Sequence, residues 1–160
     1  MRIKISILAL IFLVFCACAT APKPRQIVSA FPIEAPFDDV WTAIIESFAE
    51  MNLPIMNMEK DSGLITTDWV EYPLGKEGKK YCDCGGLGIN FEIRRVGKFN
   101  VFAKSVTETS CEVRVTCSYQ QTYETFSMDG SGARFTRSCY STGKLEAEMF
   151  ELIRSKVGIS

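Results

Sequence analysis

The amino-acid sequence predicts a single α+β domain, in which an antiparallel sheet of about five to six strands packs against two helices. One helix is expected near the N-terminus and the other at the C-terminus. Two observations carry this prediction. Apolar and polar residues alternate over several short segments, as they do in half-buried strands. Apolar residues also recur at helical spacing in two segments that flank these strands.

The first predicted helix begins just after Pro36, a residue that suits the first helical turn. Asp38 and Asp39 complement the positive end of the helix dipole. Asn52 is a suitable residue for the C-terminal end of this helix. The apolar face has helical spacing and consists of Phe37, Val40, Trp41, Ile44, Phe48 and Met51.

Strands are predicted before and after this helix. The first covers residues 27–33, and a hairpin pairs residues 55–59 with residues 64–72. The turn at residues 60–63 ends in Gly63, which can supply a positive φ. A long glycine-bearing loop is expected at residues 73–88.

The next segment alternates clearly, with Ile89, Phe91 and Ile93 as its predicted buried face. A turn at Gly97 and Lys98 is expected to lead into a further strand at residues 99–107. The last long strand is predicted at residues 111–119, where the buried face is Cys111, Val113, Val115, Cys117 and Tyr119.

A loop at residues 127–132 is expected before the second helix. That helix is predicted to begin near Ser141 or Thr142, since either side chain could cap it. Its buried stripe is Leu145, Met149, Leu152, Ile153 and Val157, and its solvent side is Glu146, Glu148, Glu151 and Arg154.

The pattern of the N-terminal residues predicts an export signal. Arg2 and Lys4 precede an apolar run of the ~7–15 residues typical of a signal peptide, well short of the ~20 that span a bilayer. A small residue, Ala17, then precedes Cys18, a pattern that resembles the lipobox of bacterial lipoproteins. That resemblance implies cleavage before Cys18 and its acylation; Cys16 is the weaker candidate. The alternatives are an ordinary cleaved signal or an uncleaved anchor.

The resulting organisation has three parts. Residues 1–17 are the predicted lipoprotein signal peptide, and residues 18–26 are the lipidated cysteine with a proline-bearing polar tether, which we expect to be extended. Residues 27–160 form the predicted domain.

Composition narrows the range of functions. Loss of Arg2 and Lys4 would take the formal charge from −1 to −3, which is not the electrostatic signature of a nucleic-acid-binding protein. Membrane attachment would then rest on acyl chains on Cys18. The sequence contains no histidine, so the commonest general base and zinc ligand are missing. We therefore expect no enzymatic activity, no cofactor and no metal.

Five cysteines follow Cys18. On an unbroken strand Cys111 and Cys117 would be about 20 Å apart, beyond disulfide reach, and are expected to be small buried side chains. Cys82, Cys84 and Cys139 are candidates for a structural disulfide, with Cys139 paired to either of the other two. The alternatives are a zinc site formed by these three thiols beside Asp83, and a redox thiol at the start of the second helix.

Other candidate sites have simpler structural interpretations. A role at the start of the helix is sufficient to explain Asp38 and Asp39, and a place in the core is sufficient to explain Trp41 and Phe48. The Gly85–Gly88 run lacks the lysine and helix of a phosphate-binding loop, so it is interpreted as a flexible turn. Aromatic residues flank the long loop and are weak candidates for a partner surface: Trp69, Tyr72 and Tyr81.

A family resemblance rests on three runs: Ala35-Pro36-Phe37-Asp38-Asp39-Val40-Trp41, Leu53-Pro54-Ile55 and Asp61-Ser62-Gly63-Leu64-Ile65. They resemble the helix-grip domains of BamC, a lipoprotein subunit of the bacterial outer-membrane β-barrel assembly machine. The resemblance covers residues 27–69 and implies a curved sheet with the C-terminal helix lying across it. BamC has two such domains behind a long arm, whereas one domain and a short tether are predicted here. Residues 81–85 and 139–143 resemble small bacterial lipoproteins of unassigned role.

These resemblances imply a non-catalytic lipoprotein of the bacterial cell envelope that serves as a protein-interaction or scaffold module for an envelope partner. Ala19 is not the aspartate associated with inner-membrane retention, which favours the periplasmic face of the outer membrane. The alternative is a carrier or sensor of an apolar ligand held between the sheet and the C-terminal helix. An open volume behind Leu145, Met149 and Ile153 would favour that ligand.

Overall fold

A mostly antiparallel, open sheet of eight strands and three helices forms an α+β fold in the part of the chain that the structure describes. The structure is a computed structural model and describes residues 20–87, 90–126 and 131–158. The predicted signal peptide (residues 1–17) and Cys18 lie outside these ranges, as does Ile89. The expectation of five to six strands was too low.

The strands are β1 (Ala30–Ile33), β2 (Ile55–Glu59), β3 (Leu64–Thr67), β4 (Val70–Glu71), β5 (Cys82–Asp83), β6 (Phe91–Thr107), β7 (Ser110–Phe126) and β8 (Gly132–Ser141). The helices are α1 (Phe37–Glu50), the single-turn α2 (Gly75–Gly78) and α3 (Lys144–Lys156).

The long hairpin of β6 and β7 is the centre of the sheet, whose order is β2-β3-β6-β7-β8-β5. Two strands share the far edge of β7. β1 pairs with Cys111–Arg114, and β8 pairs with Tyr119–Phe126. Between these two stretches the edge of β7 faces a cleft. On the other side of the hairpin, β3 and β4 pair with different stretches of β6.

Helix α1 ends as its sequence predicts. Asn52 has a φ of 52°. Its N–H donates to the carbonyl of Ala49 at 3.1 Å, and the N–H of Leu53 donates to the carbonyl of Phe48 at 2.9 Å. These two bonds satisfy carbonyls that the last turn leaves open, and the left-handed residue turns the chain away from the helix axis.

The core lies between the two long helices and the inner faces of β6 and β7. Helix α3 contributes Leu145, Met149 and Ile153 to it, as predicted. Phe150 joins them and stacks on Phe31 of β1 at a centroid distance of 4.1 Å. The other principal members are Ile33, Val40, Trp41, Ile44, Phe48, Ile65, Phe99, Val101, Val113 and Val115.

The predicted turn at Gly97 and Lys98 is wrong, because both residues lie inside the continuous strand β6. Gly97 pairs with Tyr119. A Cβ at Gly97 would be 2.8 Å from Cζ of Phe99 and 3.1 Å from Cε1 of Tyr119. This glycine therefore makes room for two aromatic rings on the inner face of the sheet.

The buried face predicted for the start of β6 is also wrong. Phe91 is 63% exposed and Ile93 is 37% exposed, whereas Arg95 is buried. The pairing with β7 shifts between Glu92 and Arg94. Such an irregularity changes which face of the sheet the side chains point to. Arg95 after it is therefore buried whereas Phe91 before it is exposed, although the two are an even number of residues apart.

Strand β8 was not expected. Most of its side chains are exposed, so it lacks the alternation that marks a half-buried strand. Backbone pairing with the distal half of β7 holds it in the sheet. The predicted loop at residues 127–132 ends one residue too late, since Gly132 belongs to β8; residues 127–130 lie outside the described ranges.

Helix α3 begins two to three residues later than expected, after Gly143 with a φ of 82°. Thr142 lies before it and accepts the N–H of Lys144 at 3.4 Å. Glu146, predicted to be on the solvent side, is 2% exposed. Its carboxylate accepts a hydrogen bond from the hydroxyl of Ser141 at 2.9 Å, which allows its burial.

Candidate functional site

Three sulfur atoms meet at one end of the sheet. The antiparallel pairing of β5 with β8 places Cys82 opposite Ser141 and Asp83 opposite Tyr140, so Cys84 reaches Cys139. Cys84 and Cys139 form a disulfide across 55 residues. The sequence left the partner of Cys139 open, and the structure pairs it with Cys84. The thiol of Cys82 is 3.7 Å from the Cys84 sulfur.

The chemistry of Cys82 is set by its burial. Burial raises the pKa of its thiol to about 11, although the Arg95 guanidinium opposes this in part. At neutral pH the side chain is a protonated thiol, which is a poor nucleophile. With Cys84 and Cys139 joined, Cys82 is the one thiol of this cluster, so the arrangement fits a structural clamp better than a zinc site.

Cys139 does not match the predicted redox thiol at the start of the second helix. It lies within β8 and is part of the disulfide. Cys111 and Cys117 remain thiols on β7. Burial, reinforced by the Glu146 carboxylate, raises the pKa of Cys117. None of these thiols has the lowered pKa that marks a reactive cysteine.

Beside this cluster lies an ion pair that no pattern in the sequence predicts. Arg95 contacts Glu92 at 2.6 Å, and both side chains are almost fully buried. Gln121 donates to the same Glu92 oxygen at 2.8 Å. Gly78 of α2 is packed so closely that a Cβ there would overlap the Arg95 guanidinium and the Pro73 carbonyl. The pair therefore holds α2 and the long loop against the sheet.

Residues 20–29, which we call the N-terminal strap, run along this end of the domain. The N–H of Gly86 donates to both the carbonyl and the hydroxyl oxygen of Thr20, at 2.9 Å in each case. The N–H of Lys23 donates to Asp83 at 3.4 Å. Ser29 accepts the N–H of Val115 from the edge of β7 at 2.8 Å.

Gly85 permits this close approach of the strap. It has a φ of 72°, and a Cβ there would be 2.1 Å from the Thr20 carbonyl oxygen and 2.8 Å from the Pro22 nitrogen. The glycine run that resembled a weak phosphate-binding motif thus contacts this chain's own backbone; Gly88 lies outside the described residues. The tether expected at residues 18–26 is docked on the domain from Thr20 onward.

Basic side chains surround the start of the strap. Thr20, Arg25, Lys79, Asp83 and Gly86 are among the residues that line a cleft of about 340 Å³. Arg137 donates to the carbonyls of Gly85 and Gly86 at 3.3 and 3.5 Å. Arg25 and Lys79 are exposed. This end of the sheet therefore combines the disulfide, the docked strap and a small cationic surface.

A cleft of about 570 Å³ opens where the edge of β7 lies between β1 and β8. Its lining mixes Ile27, Trp69 and Val115 with the polar Ser138 and Glu146. This is not the groove expected for an apolar ligand. Leu145, Met149 and Ile153 are at most 2% exposed, belong to the core, and do not line this cleft.

The opposite end of the sheet is formed by β2, all five residues of which are exposed. Met56 is 73% exposed and Met58 is 50% exposed. Within the described residues β2 pairs with β3 alone, and so its outer edge presents free backbone donors and acceptors. Because this edge is largely apolar in sequence, its exposure was not predicted.

The remaining candidates have structural roles. Asp38 pairs with Lys60 at 2.8 Å on the surface, and Trp41 and Phe48 are core residues. Tyr72 and Tyr81 form an edge-to-face contact at 5.6 Å. Trp69, which lines the cleft at the edge of β7, is 37% exposed.

Comparison with known protein families finds no match for this chain, and comparison with curated proteins finds none either. Among the helices of the described residues, none has the length and apolar character needed to cross a bilayer.

Proposed function

We propose that this chain is a non-catalytic lipoprotein of the bacterial cell envelope, anchored through Cys18 and binding a partner protein along the outer edge of β2. The domain is BamC-like in this proposal, with α3 as the gripping helix on a curved sheet. Ala19, which is not the aspartate associated with inner-membrane retention, favours the periplasmic face of the outer membrane in this proposal.

The exposed edge of β2 is the observation that carries the interaction role. Natural proteins protect free strand edges with charges, prolines, bulges or covering segments, because such edges pair with other chains. β2 has one such device, an irregularity in its pairing with β3 between Ile55 and Asn57, but within the described residues no strand pairs with its outer edge. It carries Met56 and Met58 on its exposed surface, and flexible methionine side chains suit a recognition surface. An extended segment of the partner would add to β2 as a further strand.

Two observations support a binding role over the alternatives. The buried thiols with raised pKa values do not suit catalysis, and the chain has no histidine. The interior behind α3 is packed with Leu145, Met149 and Ile153, which disfavours a carrier of a large apolar ligand.

The anchor is tested by metabolic labelling with palmitate in a bacterial host. The native chain should incorporate the label, and Cys18→Ala should abolish incorporation because the acyl chain has no other attachment point in this proposal. Cys16→Ala serves as the matched control and should label normally. Retained labelling of Cys18→Ala would remove the anchor from the proposal.

The partner surface is tested with a photoreactive amino acid placed at Asn57 in β2. Irradiation of native membranes should give a discrete protein adduct, whereas the same probe at Glu151, exposed on α3, should not. Adding Met56→Lys and Met58→Lys should weaken the adduct, because edge charges oppose strand addition.

Val106→Lys is the control for these lysine variants, since Val106 is also an exposed apolar residue. It should leave the Asn57 adduct unchanged. An Asn57 probe that captures no protein, or one whose adduct is insensitive to the two lysines, would count against β2 as the interface.

A further inference from the structure

We propose that the domain stands on the membrane edge-on, with the β5 end of the sheet against the lipid headgroups and the β2 end directed away from the bilayer. This inference rests on the proposed anchor at Cys18. It adds an interaction surface, the cationic end that carries the docked strap, whose partner is the anionic lipid surface itself.

The first step is the position of Thr20. It is two residues after Cys18, so at ~3.5 Å per residue its Cα lies within about 7 Å of the acylated residue. Thr20 is held to Gly86 by two hydrogen bonds of 2.9 Å to the same N–H. The attachment point of the lipid is therefore confined to the neighbourhood of Gly86 and cannot swing over the whole domain.

The second step is the chemistry of that neighbourhood. Arg25 and Lys79 line the same cleft as Thr20 and Gly86, and both are exposed. The Asp83 carboxylate also lines this cleft, where it accepts the backbone N–H of Lys23 from the strap. Arg137 lies beside them through its hydrogen bonds to Gly85 and Gly86. Basic side chains next to a lipid anchor favour contact with anionic headgroups. Here they orient a domain that the acyl chains already attach.

The third step is the topology of the sheet. β5 and β2 are the two ends of the strand order, separated by β8, β7, β6 and β3. With neighbouring strands about 4.8 Å apart, the exposed edge of β2 would stand about 24 Å above the β5 end. The partner edge is thereby presented away from the membrane, where a periplasmic segment of another protein can reach it.

Lipid crosslinking of the full acylated chain tests this orientation. The protein is reconstituted in phosphatidylethanolamine–phosphatidylglycerol vesicles with a benzoylphenylalanine probe at Lys79 or at Asn57. Because local concentration falls with distance from the tether, the Lys79 probe should give at least about tenfold more lipid adduct than the Asn57 probe.

Two variants test whether docking of the strap causes the orientation. Gly85→Ala forces a Cβ into the Thr20 backbone, and Gly75→Ala is the matched control because Gly75 also has a positive φ, of 67°, but has nothing within 4 Å of a Cβ. Gly85→Ala should remove most of the contrast between the two probes, and Gly75→Ala should preserve it. A glycine-serine spacer between Ala19 and Thr20 changes none of the described residues and should also reduce the contrast.

Equal lipid crosslinking from Lys79 and Asn57, or a contrast that survives both Gly85→Ala and the spacer, would overturn the orientation. Failure of the acylated chain to float with vesicles would refute the anchor and the orientation together. Failure of the Asn57 probe to capture a protein in native membranes refutes only the partner surface, and the vesicle contrast would still stand.

Discussion

Cys82 shows how burial sets the chemistry of a single side chain. Its sulfur lies 3.7 Å from the disulfide, yet its thiol is fully buried. The raised pKa keeps the proton on the sulfur at neutral pH, and attack on a disulfide requires the thiolate. The disulfide between Cys84 and Cys139 is thereby protected from the thiol beside it.

The raised pKa of Cys82 predicts a loss of stability in alkali. Between the ordinary cysteine pKa and about 11, the unfolded chain has lost this proton while the folded chain keeps it. The contribution of Cys82 to the unfolding free energy should therefore be fully present below about pH 8.5. It should be lost as the pH rises through this window, which lowers the unfolding free energy by on the order of 2 kcal/mol.

Urea unfolding at pH 8 and pH 10.5 measures this loss. Between the two pH values the unfolding free energy of Cys82→Ala should decrease less than that of the native chain, because the variant lacks this thiol. The cavity left by the substitution lowers stability at both pH values and so cancels in the comparison. The buried Tyr119 and the partly buried Cys117 and Tyr72 also have raised pKa values and should reduce stability in alkali equally in both proteins. Equal decreases would show that Cys82 ionises normally in the fold.

Arg95 and Glu92 form the second residue-scale feature. Removing one member of a buried pair leaves the other charge without a counterion, which typically costs about 3–5 kcal/mol. We expect Arg95→Leu to lower the unfolding free energy by about 3 kcal/mol, and Arg95→Leu with Glu92→Leu to regain a large part of it.

Arg94→Leu is the control for this experiment in urea unfolding. Arg94 pairs with Glu71 on the surface, where both side chains are more than half exposed, so its loss should cost less than about 1 kcal/mol. A double variant that is no more stable than Arg95→Leu would mean that the pair contributes packing rather than charge compensation.

At the scale of elements, the disulfide holds the two-residue β5 against β8. So short a strand has little pairing energy of its own, and residues 82–87 also carry the docking contacts of the N-terminal strap. The disulfide therefore stabilises both the β5 end of the sheet and the docking of the N-terminal strap.

Loss of this disulfide should destabilise the domain. In the chain-entropy model a cross-link that closes about 55 residues contributes on the order of 4 kcal/mol, less any native strain. Cys84→Ser with Cys139→Ser should lower the unfolding free energy by up to that amount in urea.

The native chain treated with a dithiol should unfold like this double variant. Cys111→Ser with Cys117→Ser is the matched control for reagent effects, since those cysteines are free thiols. It should retain its sensitivity to the dithiol. A double variant at Cys84 and Cys139 with native stability would show that β5 is held by its strand pairing alone.

At the scale of the whole molecule, the two ends of the sheet differ in chemistry. The β5 end has the strap, the disulfide and the basic side chains, whereas the β2 end has exposed methionines and a free strand edge. The long β6–β7 hairpin connects them as one sheet. Attachment and partner binding are therefore proposed at opposite ends, where neither obstructs the other.

Sequence alone determined the elements whose signals are local. The helical face and the stop of α1, the turn at Gly63 and the inner face of β7 depend on residues within a few positions of one another. Gly63 has the expected positive φ of 70°. These predictions hold because side-chain periodicity and backbone preference act over a single turn or strand.

Only the tertiary structure decided the features that depend on distant partners. β8 is a strand because it pairs with β7, and Gly97 leaves room for two aromatic rings. Glu146 is buried because the Ser141 hydroxyl donates a hydrogen bond to it. The docking of residues 20–29 likewise needs Gly85, more than fifty residues away. Long-range pairing and the satisfaction of buried polar groups fix these positions, and neither leaves a periodic mark in the sequence.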